Sequence, residues 1–146
     1  MNKVEFHAEE VPPPSWIPAA QGFILKVLDT LGRKNWELSV LFCSNRYIKS
    51  LNARYRGRGE ATDVLSFPLG EKSRAGRYLA GDIAVSLGAL EENTRFFNVP
   101  ADEELRRLLV HGILHLCGYA HATNNAGEAM LKMQEEILAA IPEKIL

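Results

Sequence analysis

The chain has 146 residues, 47% hydrophobic and 24% charged, with a formal net charge of −1. That length suits one domain, 1–146, able to bury about 68–70% of the surface its unfolded form exposes, and a near-neutral chain is no polycation, so any grip on nucleic acid must be local. No apolar run approaches the ~20 residues that cross a bilayer, and Met1 to Glu5 lack a secretion signal's apolar stretch, so no membrane partner is expected and the expected location is cytoplasmic.

Val4 and Phe6 alternate with charged residues in a predicted first strand, ended by Pro12, Pro13 and Pro14, with Ser15 as the expected N-cap of the next helix. Ile17, Ala20, Ile24, Leu28 and Leu31 keep helical spacing from Trp16 to Leu31, and Gly32 follows as a stop. Trp36 to Cys43 predict a second strand with Trp36, Leu38, Val40 and Phe42 on one face. Ser44 then caps a short helix carrying Tyr47, Ile48, Leu51 and Tyr55, broken by Gly57 and Gly59. Two further strands, 62–69 and 79–86, are joined by a polar, basic loop from Gly70 to Arg77, expected to be mobile. Three helices follow at about 87–97, 101–117 and 125–141, the last with an apolar stripe of Ala129, Leu131, Ile137 and Leu138. Four strands interleaved with about five helices predict an α+β or α/β layering on one sheet. The two cysteines, Cys43 and Cys117, form no CxxC pair, which fits a reducing compartment.

In the helix at 101–117, Leu105, Leu108, Leu109, Gly112, Ile113 and Leu116 make a core stripe, and Val110 and Leu114 add apolar groups on the far side. A helix apolar nearly all round is a buried central one. Residues 111–121 hold three of the four histidines. His111 and His115 stack one turn apart at the border of the stripe, with Cβ atoms about 5–6 Å apart. That suits two bonds of about 2.0–2.1 Å to one zinc ion. Gly118 stands where a helix end needs positive φ, and a turn there can bring His121 back to the pair. Three imidazoles with an open fourth position form the donor set of a catalytic zinc site, although other divalent transition metals also accept them. Cys117 is angled to the core side and is not expected as a ligand. The spacing H-x-x-x-H-x-x-G-x-x-H coincides with that of metzincin proteases, but their general-base position holds Gly112, so a peptidase would lack its proton acceptor.

Upstream, Arg46, Lys49, Arg54, Arg56 and Arg58 place five positive charges within thirteen residues, and Lys72, Arg74 and Arg77 add three. Such a patch can hold phosphates through guanidinium forks or form an ordinary solvated face. Asp63 and Asp82 stand among apolar residues, where a carboxylate needs a partner. Each is a candidate to cap a helix, to pair with Arg56, or to hold a histidine's second nitrogen.

Four stretches in order, Leu51-Asn52-Ala53-Arg54-Tyr55-Arg56, Thr62-Asp63-Val64-Leu65-Ser66-Phe67-Pro68, Gly81-Asp82-Ile83-Ala84-Val85-Ser86 and His111 to His121, resemble the successive signatures of the YbeY family, bacterial endoribonucleases of ribosomal RNA maturation. The resemblance implies an α+β fold with one mixed four-stranded sheet, mostly parallel with an antiparallel edge, packed with about five helices around a central metal-bearing helix. It also implies Zn2+ on His111, His115 and His121, Arg56 as the arginine needed for RNA cleavage, and Asp82 linked to ribosomal partners. Asn52, Tyr55, Asp63 and Ser66 belong to the same motifs as candidate substrate, partner or supporting groups. One departure stands out: Ala120 replaces the aspartate usual between the tyrosine and the last histidine, and losing a carboxylate that supports a ligand weakens metal affinity about 10–100-fold.

The expected activity is zinc-dependent, single-strand-specific endoribonuclease cleavage in 3′ end maturation of small-subunit ribosomal RNA, with the small ribosomal subunit and assembly proteins as partners and no role for DNA. The alternative is a ribosome-assembly factor that acts mainly by binding.

Overall fold

A computed structural model describes residues 1–57, 59, 62–119 and 128–146. Four strands, β1 (Lys3–Glu9), β2 (Trp36–Cys43), β3 (Val64–Lys72) and β4 (Tyr78–Ser86), form one sheet in the order β1-β2-β4-β3. The β1–β2 and β2–β4 pairs are parallel and the β3–β4 pair antiparallel, so β3 is an antiparallel edge. Parallel neighbours need a crossover. Between β1 and β2 it is helix α1 (Ile17–Thr30), and helix α2 (Asn45–Arg56) follows β2. Helices α3 (Leu87–Phe97), α4 (Ala101–Leu116) and α5 (Ala129–Ala140) complete the described elements, an α+β fold as expected.

Strand alternation sorts the core. Leu38, Val40 and Phe42 of β2 point to one face, where they join Phe23, Ile24, Val27 and Leu28 of α1 and Leu105, Leu109 and Ile113 of α4. Cys43, Leu65 and Ala84 point to the other and pack against Ile48 of α2. Helix α4 buries Leu105, Leu108, Leu109, Val110, Gly112, Ile113, Leu114 and Leu116, the all-round apolar surface its sequence predicts. Helix α2 starts where expected, with Ser44 Oγ accepting from the Tyr47 N–H, and ends at Gly57 in the left-handed region.

Three expectations need correction. Ser15 does not cap α1; the cap position is Trp16, which makes no side-chain cap bond, and a proline in the first turn removes one of the N–H groups a cap would satisfy. The stretch 70–77 is no open loop. The ladder runs on to Lys72 opposite Tyr78, and the turn is closed by the Ser73 N–H on Arg77 O and the Arg77 N–H on Ser73 Oγ. On α5 the buried positions are Met130, Gln134, Ile137 and Leu138, whereas Ala129 is exposed. Residues 125–127, expected at the start of that helix, lie outside the described residues. Among the described residues no helix is long and apolar enough to cross a membrane.

Candidate active site

Helix α4 ends in a turn built for Gly118. Its φ is +95°, the Tyr119 N–H reaches Leu114 O at 3.0 Å and the Gly118 N–H reaches His115 O at 3.0 Å, the paired bonds of a glycine-terminated helix. Just before that end, the imidazoles of His111 and His115 meet edge-on, with ring centroids 4.6 Å apart and planes at 78°. Their Nε2 atoms are 3.0 Å apart. That is hydrogen-bond distance, and because two nitrogens bound to one tetrahedral zinc at about 2.0–2.1 Å lie roughly 3.3 Å apart, a shift of a few tenths of an ångström lets the pair share an ion. Among the described residues no group of three or more His, Cys, Asp or Glu gathers at ligand distance. His121, the expected third ligand, lies outside the described residues, as do Ala120 and Arg58. Cys117 packs against the core, and burial pushes its thiol above the usual value.

The second nitrogen of His111 is held by Gln134, not by either aspartate. Gln134 Oε1 lies 2.7 Å from His111 Nδ1, and Gln134 Nε2 donates to Glu135 Oε2 at 3.2 Å. Glu135 in turn accepts from Arg107 Nε at 3.1 Å and Nη2 at 3.0 Å. The guanidinium bonded to it holds the Glu135 carboxyl below the usual carboxylate range. Sequence reasoning missed Gln134, because the stripe expected on α5 is right at Ile137 and Leu138 but takes Ala129 and Leu131 where Met130 and Gln134 are the buried residues. An amide amid Met130, Ile137 and Leu138 at helical spacing is the signal that could have found it, since a buried polar group requires a partner.

Across from the imidazoles stands Arg56, the last residue of α2. Val64, Ser66 and Pro68 of β3 face α4, whereas Leu65 and Phe67 face α2. Arg56 therefore comes from one side of the sheet and reaches round the edge strand to donate from Nη2 to Ser66 O at 2.9 Å. The Ser66 hydroxyl donates to Gly112 O at 3.1 Å, tying that strand to α4. Together Arg56, Val64, Ser66, Pro68, His111 and His115 line a cleft of about 160 Å³. Arg56 makes this one hydrogen bond among the described residues, which leaves other donors of its fork for a ligand.

The remaining candidates lie elsewhere. Tyr55 and Asp82 line a larger cleft of about 530 Å³ on the α2 side, with His7, Tyr47 and Phe67. There the Ser39 hydroxyl donates to Asp82 and Tyr55 packs edge-on against Phe67. Asp63 accepts from Asn93 Nδ2 at 3.1 Å, and the same amide donates to Glu104. Neither aspartate pairs with Arg56 or with a histidine among the described residues. Asn52 is buried within α2. The basic patch is also smaller than its sequence suggests: Arg46 is paired with Glu10, and Arg77 sits within 4 Å of Glu37 and donates to Met1 O.

Gly112 explains why no metzincin-type acid occupies its position. A Cβ there would lie 2.8 Å from Ile83 Cγ2, so α4 sits on β4 at a distance only glycine allows. Gly112→Ala is expected to cost about 1–3 kcal/mol by overpacking, read as a lower urea midpoint with unchanged slope.

A mixed sheet with a buried helix that presents two converging imidazoles beside a guanidinium makes this an α+β protein with a cleft suited to a cation and an anionic ligand. The family model described as Endoribonuclease YbeY matches residues 4–142. An endoribonuclease YbeY of Treponema denticola is 46% identical over 142 residues, covering 94% of this chain and 92% of that protein. The one from Borrelia turicatae is 47% identical over 139 residues, covering 94% and 93%. The solution structure of TM1509 from Thermotoga maritima superposes with a TM-score of 0.68 at 28% identity, over 94% of this chain and 88% of that one. The chain belongs to the endoribonuclease YbeY family.

Proposed function

We propose that this protein is a zinc-dependent endoribonuclease that cuts single-stranded RNA, acting in 3′ end maturation of small-subunit ribosomal RNA and in ribosome biogenesis and quality control in the cytoplasm. Relatives that cover nearly the whole chain bear the endoribonuclease name, and the observation that carries the reading is the meeting of Arg56 with the two converging imidazoles in one cleft. His111 and His115, with His121, would hold the ion. Bound there, zinc would supply Lewis acidity, which lowers the pKa of a bound water to about 7. Arg56 grips the scissile phosphate with the donors that Ser66 O does not use and offsets the charge that develops on it. A cleft this small at a sheet edge suits a splayed single strand better than a duplex, whose reactive backbone is held in A-form geometry. The larger cleft around Asp82 and Tyr55 would take the ribosomal partner.

The test uses purified protein with its metal content measured. Cleavage of single-stranded RNA should vanish after chelation and return on adding Zn2+, while undiminished cleavage in chelator would discard the metal. The second reading, an assembly factor that works by binding, is favoured by one observation: the Asp82 cleft is the larger of the two. Complementation by His115→Ala separates them, since a binding factor tolerates the change and a nuclease does not.

A further inference from the structure

An amide's oxygen and nitrogen are told apart by their partners. Glu135 accepts two N–H bonds from Arg107, one on each oxygen, so it is an ionised, acceptor-only group. The Gln134 amide lies 3.2 Å from one of those oxygens. Turned the other way, it would set its own oxygen against a carboxylate oxygen with no proton between them. The nitrogen therefore faces Glu135, and the oxygen is the atom 2.7 Å from His111 Nδ1. An acceptor at that place requires the proton on Nδ1, which leaves the lone pair on Nε2, the atom turned to His115. Gln134 is only 6% exposed, so water competes weakly for either end of the amide. The relay leaves α4 at Arg107, passes through Glu135 and Gln134 of α5, and returns to α4 one turn later at His111.

We infer that Gln134 is a positioning residue: aimed by Arg107 and Glu135, it locks His111 in the Nδ1–H tautomer and so presents Nε2 as a ligand to the ion that His115 shares. The consequence for the ion rests on the metal reading above, whereas the tautomer rests on geometry alone. The experiment is long-range ¹H–¹⁵N correlation of the histidines in the metal-free, full-length chain, paired with titration by Co2+, in wild type, Gln134→Leu, Gln134→Glu and Glu135→Gln. Wild type should show His111 as Nδ1–H. Gln134→Leu, which cannot accept a hydrogen bond, should lose that form and bind Co2+ about 10–100-fold more weakly. Gln134→Glu still accepts and should keep the tautomer and restore most of the affinity. Glu135→Gln, at a solvent-facing side chain, lets the Gln134 amide turn and should raise the Nε2–H population without unfolding the chain. An Nδ1 without its proton in wild type, or an unchanged tautomer in both Gln134→Leu and Glu135→Gln, overturns the assignment. If wild type takes up no Co2+ while His111 keeps its Nδ1–H form, the metal reading fails and the tautomer lock stands.

Discussion

Arg56→Ala is expected to slow cleavage of single-stranded RNA about 100- to 1,000-fold, the loss typical when one preorganised donor to a developing negative charge is removed. The fold should barely notice. Arg56 is exposed and, among the described residues, gives the protein one hydrogen bond, to Ser66 O, and substitutions at such sites usually stay within about ±0.5 kcal/mol. Arg56→Lys should recover only part of the rate, because a single ammonium cannot hold the strand carbonyl and also present a planar fork to a phosphate. His111→Ala is expected to cost at least as much, with a further signature: it should lower zinc content, which Arg56→Ala leaves unchanged. Rates measured on one RNA, alongside metal analysis of each variant, separate a phosphate-binding role from a metal-holding one. Full activity in Arg56→Ala would mean that the cleft between β3 and α4 is not where RNA is cut.

Much of this arrangement is legible in the chain before any coordinates. The alternation of Trp36, Leu38, Val40 and Phe42, the cap at Ser44 and the glycine at 118 each carry local physics strong enough to survive tertiary packing. His111 and His115 are legible for the same reason, since helical spacing alone places them on one face. What escapes is what depends on contacts between distant elements. Asp63 and Asp82 have ligand-supporting chemistry, but their strands carry them to other neighbours, Asn93 and Ser39. Gln134 has no motif to mark it, and its role appears only when α5 lies against α4. Arg56 reaches its cleft round an edge strand, a path no spacing rule encodes. Gly, Ser and charged residues dominate 70–77 and read as a polar loop, yet the ladder with β4 draws Glu71 and Lys72 into pairing.

The other large effect is expected at the far end of the same helix, where Asp102→Ala should destabilise the protein by about 3–5 kcal/mol, the usual result of stripping one partner from a buried ion pair. Asp102 is 8% exposed on the first turn of α4. One of its oxygens accepts from the Ile145 N–H at 2.6 Å and the Leu146 N–H at 3.1 Å, and the other from Arg106 Nε at 2.9 Å. Arg106 also donates to Ile141 O, so a single carboxylate fastens the closing segment, with buried Ile141 and Ile145, over the head of α4. Burial alone would raise its pKa, but the two backbone donors and the guanidinium overcome that and hold it below the usual carboxylate range. The sign follows. With a folded pKa beneath the unfolded value of about 3.9, Asp102 contributes stability that is present above pH ~4 and lost as pH falls through the folded pKa. Urea midpoints measured from pH 6 down to about pH 2 should therefore drop more steeply in wild type than in Asp102→Asn, which has no charge to lose. Equal slopes would show that this carboxylate is not what clamps the chain end to α4. A steeper wild-type slope would place one anchor of the helix at Asp102 and the other at the Gly118 turn, with His111 and His115 held between them.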